Sequence, residues 1–273
     1  MIRETLETLF DITSLASYAS RIVARKLVGR RYTRNVVAVR EEYTDVRARF
    51  ASQWESTHPP LETFLVSEAD EDSGLHYHRL LDGRLLTGSL DEVRRWELQR
   101  ITGSVLAYEP ASVMEFGCGT GRNLLAIKRQ RPSVRCIGLE LTAPSVKLSK
   151  MAGEFYGLPI LTHLADVTKP LNMEPVDVCF SVQALEQIPD SHKVFEQMIA
   201  LSRKAVVLFE PIVELYPLTV RGLAARLRAI HLDRLRGLYS WIRERDYTVT
   251  CAELLPTAQN ALNPIAEVHV KPN

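Results

Sequence analysis

An excess of either charge is missing from this chain: 34 Lys and Arg stand against 33 Asp and Glu, a formal net charge of +1. That balance excludes a protein that coats nucleic acid by bulk charge. Long hydrophobic runs are missing too. The longest, such as AVVLF at 205–209, have the length of buried strands and fall well short of the ~18 to 20 residues that cross a bilayer. The four cysteines, Cys118, Cys136, Cys179 and Cys251, lie 18, 43 and 72 positions apart and form no C-x-x-C pair or ligand-like cluster. Free thiols in a reducing, cytoplasmic setting are expected. The opening MIRETLETLFDITS lacks the apolar core of a secretory signal. Its acids, Glu4, Glu7 and Asp11, argue against reading the Arg-rich stretch behind it as a mitochondrial presequence. Internal repeats and low-complexity linkers are absent, and what remains, 46% hydrophobic and 25% charged, is the composition of a globular protein.

The near-neutral total hides a local asymmetry. Residues 21–40 hold seven bases and no acid, whereas 41–75 hold nine acids and two bases. Two consecutive helices whose solvated faces pair would account for this. A docking surface for phosphates or an anionic membrane is the sharper alternative.

The apolar pattern changes near position 89. Before it the spacing is helical: Leu15, Tyr18, Ala19, Ile22 and Val23 share one face with Gly29 as the stop, and Val39, Tyr43, Val46, Phe50 and Trp54 line a second helix ending before Pro59 and Pro60. The stretch 61–88 reads as loop and short elements. SLDE at 89–92 has the capping-box form and predicts a helix to near Tyr108. Beyond 111, short apolar runs alternate with helical ones: strands at SVMEF, SVRCIGLEL, PILTHLAD, PVDVCFSV and KAVVLFEP, and helices after Gly121, from Thr142, and capped by Asp190. Such alternation predicts an α/β fold, a parallel sheet covered on both faces. A long helical stretch over 217–245 then precedes two strands, YTVTCAELL and AEVHV, with no helix between them, which predicts an antiparallel terminal hairpin. The expected division is 1–88 as an N-terminal helical cap and 89–273 as the main domain.

The most informative segment is VMEFGCGTGRN, 113–123. A strand running into Gly117, Gly119 and Gly121 and then a helix allows close backbone approach by a ligand and presents helix N-terminal amides. Glu140 ends the next strand, where an acid can accept from ribose hydroxyls. Asp166 follows the third strand as a second, weaker acid, since an Asp there can also just open a turn. A dinucleotide fingerprint, G-x-G-x-x-G, would need glycine at 122, which is Arg122. Glu115 at the strand end would repel a pyrophosphate and could hold an ammonium group. An adenosine carrying an amino acid suits these residues better than a dinucleotide.

These residues resemble the class I S-adenosylmethionine-dependent methyltransferases, through EFGCGTG at 115–121, GLEL at 138–141, LADV at 164–167 and VDVCFSVQALEQIPD at 176–190. The resemblance implies a Rossmann-like seven-stranded, mostly parallel sheet of order 3-2-1-4-5-7-6, with the last strand antiparallel. It also implies the cofactor S-adenosyl-L-methionine and the product S-adenosyl-L-homocysteine. By the same resemblance Glu115 and the backbone of Gly117 and Gly119 handle the methionine end, Glu140 binds the ribose, Asp166 and Val167 border the adenine, and Ser181, Val182 and Gln183 line the methionine side after the fourth strand, with Cys118, Asn123 and Leu141 as further cofactor-binding residues.

A sulfonium methyl is already activated, so alignment and exclusion of water are the main demands on the protein. The expected partner is a small-molecule acceptor, methylated at oxygen. Glu186, Glu210, His192 and His231 are the candidates for a general base, and for each taken alone a structural or solvated role is the stronger reading. Glu186 and Glu210 could instead hold a cationic amine, which keeps nitrogen open. No N-P-P-Y or D-P-P-Y motif follows the fourth strand and no cysteine follows a proline, which argues against amide-nitrogen and cytosine C5 chemistry. His76 and His78 alone do not make a metal site, so none is expected. Trp54, Trp96 and Trp241 read as core. Nucleic acid is disfavoured as a partner but not excluded, and peripheral membrane contact through 13–28 and a dimer both remain open.

Overall fold

The computed structural model describes residues 2–28, 35–66, 79–86, 90–232 and 237–272. Gly29, the His76 and His78 pair, Ser89 of the capping box, residues 29–34 of the basic block and residues 67–75 of the acidic block lie outside them.

Two long helices, α1 (Ile2–Val28) and α2 (Val36–Thr57), come first, followed by α3 (Leu61–Val66) and a small hairpin, β1 (Arg79–Leu81) with β2 (Arg84–Leu86). The ends of α2 follow from local chemistry. The Asn35 side chain accepts from the Val37 N–H at 2.8 Å, and His58 closes the other end with a φ of 40° before the two prolines. Then α4 (Asp91–Leu106) leads into strand and helix alternation: β3 (Ser112–Phe116), α5 (Arg122–Gln130), β4 (Arg135–Glu140), α6 (Ala143–Phe155), β5 (Leu161–Leu164), β6 (Val176–Val182), α7 (Ser191–Ala200) and β7 (Ser202–Glu210). The chain finishes with α8 (Val220–His231), α9 (Leu238–Glu244), β8 (Thr248–Leu254) and β9 (Ala266–Lys271).

The seven large strands form one sheet in the order β5-β4-β3-β6-β7-β9-β8. In strand-only numbering from β3 this is 3-2-1-4-5-7-6, the expected order. β9 alone runs against its neighbours, pairing antiparallel with both β7 and β8. Two local expectations change. The stretch 217–245 is not one helix, because Gly237 has a φ of 83° where α9 starts, a left-handed turn through which an α-helix cannot run. Asp190 occupies the N-cap of α7 with a φ of 56° but makes no capping bond, its carboxylate lying 3.2 Å from Lys193 Nζ instead.

Strand residues alternate between two cores. Val113, Val178, Phe180 and Val207 face one side with α4, α5 and α6. Met114, Phe116, Cys179 and Leu208 face the other with α7 and α9. The first core also contains Phe50 and Trp54 of α2 and Phe64 of α3, so residues on both sides of position 88 share one packed interior. Trp54 is the rivet: its indole N–H donates to the Tyr156 hydroxyl at 3.2 Å, and that hydroxyl donates to the Pro59 carbonyl at 2.6 Å. α1 lies against α8, held where Arg221 meets Asp11 at 2.7 Å and Glu7 at 3.2 Å. No helix of the described residues is long and apolar enough to cross a membrane.

Trp54→Ala removes a 3% exposed indole, and is expected to lower the unfolding free energy by about 3 to 5 kcal/mol. Urea denaturation followed by far-UV circular dichroism reads this as a shifted single transition. A loss below ~1 kcal/mol would show that α2 is not anchored through this side chain.

Candidate active site

The carboxyl ends of β5, β4, β3 and β6 meet along one edge of the sheet, and the sequence-selected cofactor residues gather there. At the end of β3 the chain turns through Gly117, φ 74°, and Gly119, φ 52°. These two glycines have different reasons. A Cβ on Gly117 would come 2.4 Å from the Ala184 Cβ, so glycine there lets the turn after β6 pack onto the turn after β3. A Cβ on Gly119 would enter open space, meeting only Arg47 Nη2 of α2 at 3.9 Å. That space is where a ligand can approach the backbone.

Two carboxylates border it. Glu140 accepts from the Gly119 N–H at 3.0 Å through one oxygen, and from the Thr142 N–H at 2.9 Å and hydroxyl at 2.8 Å through the other. It thereby ties the glycine turn to the start of α6. Glu115 is 1% exposed. Its Oε1 accepts from Asn123 Nδ2 at 2.6 Å, and its Oε2 has no hydrogen-bond partner among the described residues. Burial pushes its carboxyl up to about 8, against the opposing pulls of Asn123 and the Arg122 charge. A buried carboxyl with one unmet acceptor, and a second carboxylate nearby, suits a donor that carries positive charge.

The other expected residues are nearby in different roles. Cys118 is buried, its sulfur filling the space above Gly138, where a Cβ would meet it at 2.5 Å. Burial holds that thiol well above its ordinary range. Leu141 is half-buried beside Glu140. Asp166 opens a turn by accepting from the Thr168 N–H at 3.1 Å and hydroxyl at 2.6 Å. Its second oxygen lies 3.9 Å from Arg40 of α2. Val167 is buried behind it, its carbonyl held by Gln197 at 2.8 Å. At the end of β6, Val182 and Gln183 are half-buried, and Gln183 has a φ of 52°, a left-handed conformation costly for a non-glycine residue.

The four candidate bases separate. Glu210 is fully buried and accepts from the Ser181 hydroxyl at 2.7 Å and from the Ala184, Leu185 and Glu186 N–H groups at 3.0, 3.0 and 3.2 Å. It therefore pins the turn after β6 onto the end of β7, and Ser181 points into that staple. Burial raises its carboxyl to about 7. Glu186 is 3% exposed and accepts from Asn263 Nδ2 at 3.3 Å, while Asn263 Oδ1 accepts from Arg228 of α8 at 2.9 Å. His192 packs its ring 5.2 Å from Trp241 in a surface depression shared with Arg245. His231 stands beside Tyr18 of α1, ring centroids 6.0 Å apart, and burial and the charges of Arg25 and Arg21 lower its proton affinity. Neither histidine joins the glycine turn.

Arg40, Arg47, Asn263 and Arg228 are the residues that sequence reasoning did not select. Arg40, Tyr43 and Arg47 recur at helical spacing, a signal masked by the acidic run around them.

Residues 114–208 match the model of a family described as a methyltransferase domain. No curated protein matches the chain. Among solved structures, magnesium protoporphyrin IX methyltransferase of Synechocystis PCC 6803 with bound SAM is 10% identical, with 84% of this chain and 97% of that one covered and a TM-score of 0.51. The [4+2]-cyclase SpnF is 12% identical, with 82% and 96% covered and a TM-score of 0.56. The N-methyltransferase NodS of Bradyrhizobium japonicum WM9 in complex with S-adenosyl-L-homocysteine is 13% identical, with 78% and 96% covered and a TM-score of 0.52. These likenesses carry the fold.

The Glu115 carboxyl is raised from 4.5 to about 8, so the folded protein holds a proton that the unfolded chain releases. The ligand-free protein is therefore expected to lose stability as pH rises between these values. Glu115→Gln is expected to flatten that slope and to raise the melting temperature at pH 8 relative to the parent. Parallel melting curves at pH 5 and pH 8 read the difference; an unchanged slope in the variant would contradict the assignment.

Proposed function

We propose that this chain is a class I S-adenosylmethionine-dependent methyltransferase and that it transfers the methyl group to an oxygen of a small-molecule acceptor. The observation that carries the reading is the buried Glu115 with its unmet Oε2, facing the same edge as Glu140 and the open side of Gly119. A methionine ammonium would meet Glu115, and the ribose hydroxyls would donate to Glu140. Arg47, over the glycine turn, would meet the methionine carboxylate. Bound S-adenosylmethionine supplies a methyl carbon on a sulfonium; that carbon–sulfur bond breaks as the bond to the acceptor forms, leaving S-adenosyl-L-homocysteine, and the acceptor loses its proton.

Two features support a small acceptor. α2 covers the crevice, with Arg40 toward Asp166 and Arg47 toward Gly119, which suits a roofed pocket better than an open docking face. Arg25 and Arg40 of the basic block are turned onto their own chain, to the His231 carbonyl and to Asp166. Oxygen is favoured over a cationic amine because Glu210 is closed by four donors. It is therefore lost to the pair of carboxylates that an amine would need. Glu186 is the candidate base we favour: its backbone N–H joins the β7 staple, but its carboxylate lies outside it and accepts from Asn263.

Calorimetry is expected to show binding of S-adenosylmethionine and none of NAD. Glu115→Gln is expected to weaken binding by roughly 10- to 100-fold. Labelled methyl offered with a cell extract is expected to enter the small-molecule fraction. Label in the RNA or protein fraction would replace the acceptor reading, and failure of the parent protein to bind S-adenosylmethionine would remove the whole of it.

A further inference from the structure

A helix lying on a protein surface ordinarily turns its charges toward water. α1 does the opposite. Leu6, Leu9, Val23 and Leu27 are 60%, 56%, 56% and 81% exposed, and Thr13, Ala16 and Ser20 between them are exposed as well. These positions succeed one another at steps of three, four, three, four, three and four residues. That spacing makes a straight seam along one helix, the kind that meets a second helix. None of the seven is charged. Ile12, 53% exposed, borders the seam, and the opposite face of α1 is used: Glu7 and Asp11 hold Arg221 of α8, Arg25 donates to the His231 carbonyl, and Phe10 packs on the cluster of Leu80, Ala258 and Ala261. The seam is left facing solvent over most of a 27-residue helix, about 40 Å long at 1.5 Å per residue.

The seam also reads alike in both directions. Bulky residues stand at each end and small ones in the middle. If a two-fold axis sets Thr13 opposite Ala16 of a second copy, Leu9 comes opposite Ser20 and Leu6 opposite Val23. The small side chains then lie at the crossing, where backbones approach, and the bulky ones fill the flanks. Charge agrees with this direction. With Glu7, Asp11 and Arg25 engaged on the opposite face, the charges left exposed still divide by sign, Glu4 near one end and Arg21 toward the other. An antiparallel pair brings acidic end to basic end and opposes the two helix dipoles, whereas a parallel pair stacks like on like.

We propose that α1 is a dimerisation helix, and that two copies of this chain associate about a two-fold axis through an antiparallel α1 seam centred between Thr13 and Ala16. A membrane is the weaker occupant. A helix lying in a lipid surface carries bases along its polar face, whereas here Arg25 is already committed to the His231 carbonyl and the exposed Glu4 would repel anionic headgroups. The seam is a single helix wide, at the low end of interface sizes, so association is expected in the micromolar range and reversible on dilution.

Sedimentation of the full chain over about 1 to 100 µM is expected to pass from the chain mass to twice that mass. Leu9→Glu and Ala16→Glu, both at exposed positions, are expected to remain monomeric at the top of this range with unchanged melting temperature and unchanged S-adenosylmethionine affinity. In a Cys251→Ser background, a Leu6→Cys chain mixed with a Val23→Cys chain is expected to form a disulfide-linked dimer under mild oxidant, and Leu6→Cys alone is not. A monomer throughout, a dimer that survives both glutamate substitutions, or self-linking of Leu6→Cys would each overturn the proposal. So would co-sedimentation of a monomeric chain with phosphatidylglycerol vesicles that Leu9→Glu abolishes.

Discussion

A carboxylate sealed from water with one oxygen unmet is a poor anion, and Glu115 is in that condition. Its neighbours explain why the chain tolerates it. Asn123 satisfies one oxygen, and the glycine turn that follows can bend close around whatever satisfies the other. Positive charge arriving beside Glu115 would favour its ionisation. The same turn cannot form without Gly117, because the segment after β6 is packed against it through Ala184.

That segment is held from the far side by Glu210, whose carboxylate collects Ser181 and three successive backbone N–H groups. Two buried acids with raised proton affinity thus do different work within one sheet edge. Glu115 has an acceptor to offer; Glu210 has been closed by the backbone and sets the position of the turn. A raised carboxyl is by itself no sign of catalysis, and the hydrogen-bond partners decide between the two readings.

The strand order and the glycine turn were legible in the sequence because both are written locally: short apolar runs punctuated by helices, and glycines directly after VMEF. Glu140 was legible for the same reason, standing one strand on. Glu210 was not, since its role depends on N–H groups 24 to 26 positions away that only the parallel pairing of β6 with β7 brings near. Arg47 was hidden in an acidic run, and its position over Gly119 follows from how Trp54 seats α2 on Tyr156. The break at Gly237 was missed because a lone glycine in a helical pattern is ordinarily tolerated. The charge asymmetry is not resolved by the two blocks facing each other: among the described residues Arg40 of the basic block meets Asp166, while Glu55 and Glu62 of the acidic block meet Lys147 and Arg129.

The central claim is that Glu115 takes up positive charge from the cofactor, and proton linkage tests it most directly. At pH 7 the buried carboxyl, raised to about 8, holds its proton; an ammonium beside it would expel that proton. Titrating S-adenosylmethionine into the protein in two buffers of different ionisation enthalpy should show release of close to ~1 proton per cofactor bound, absent in Glu115→Gln. Binding with no proton released, or equal release by the variant, would contradict the account.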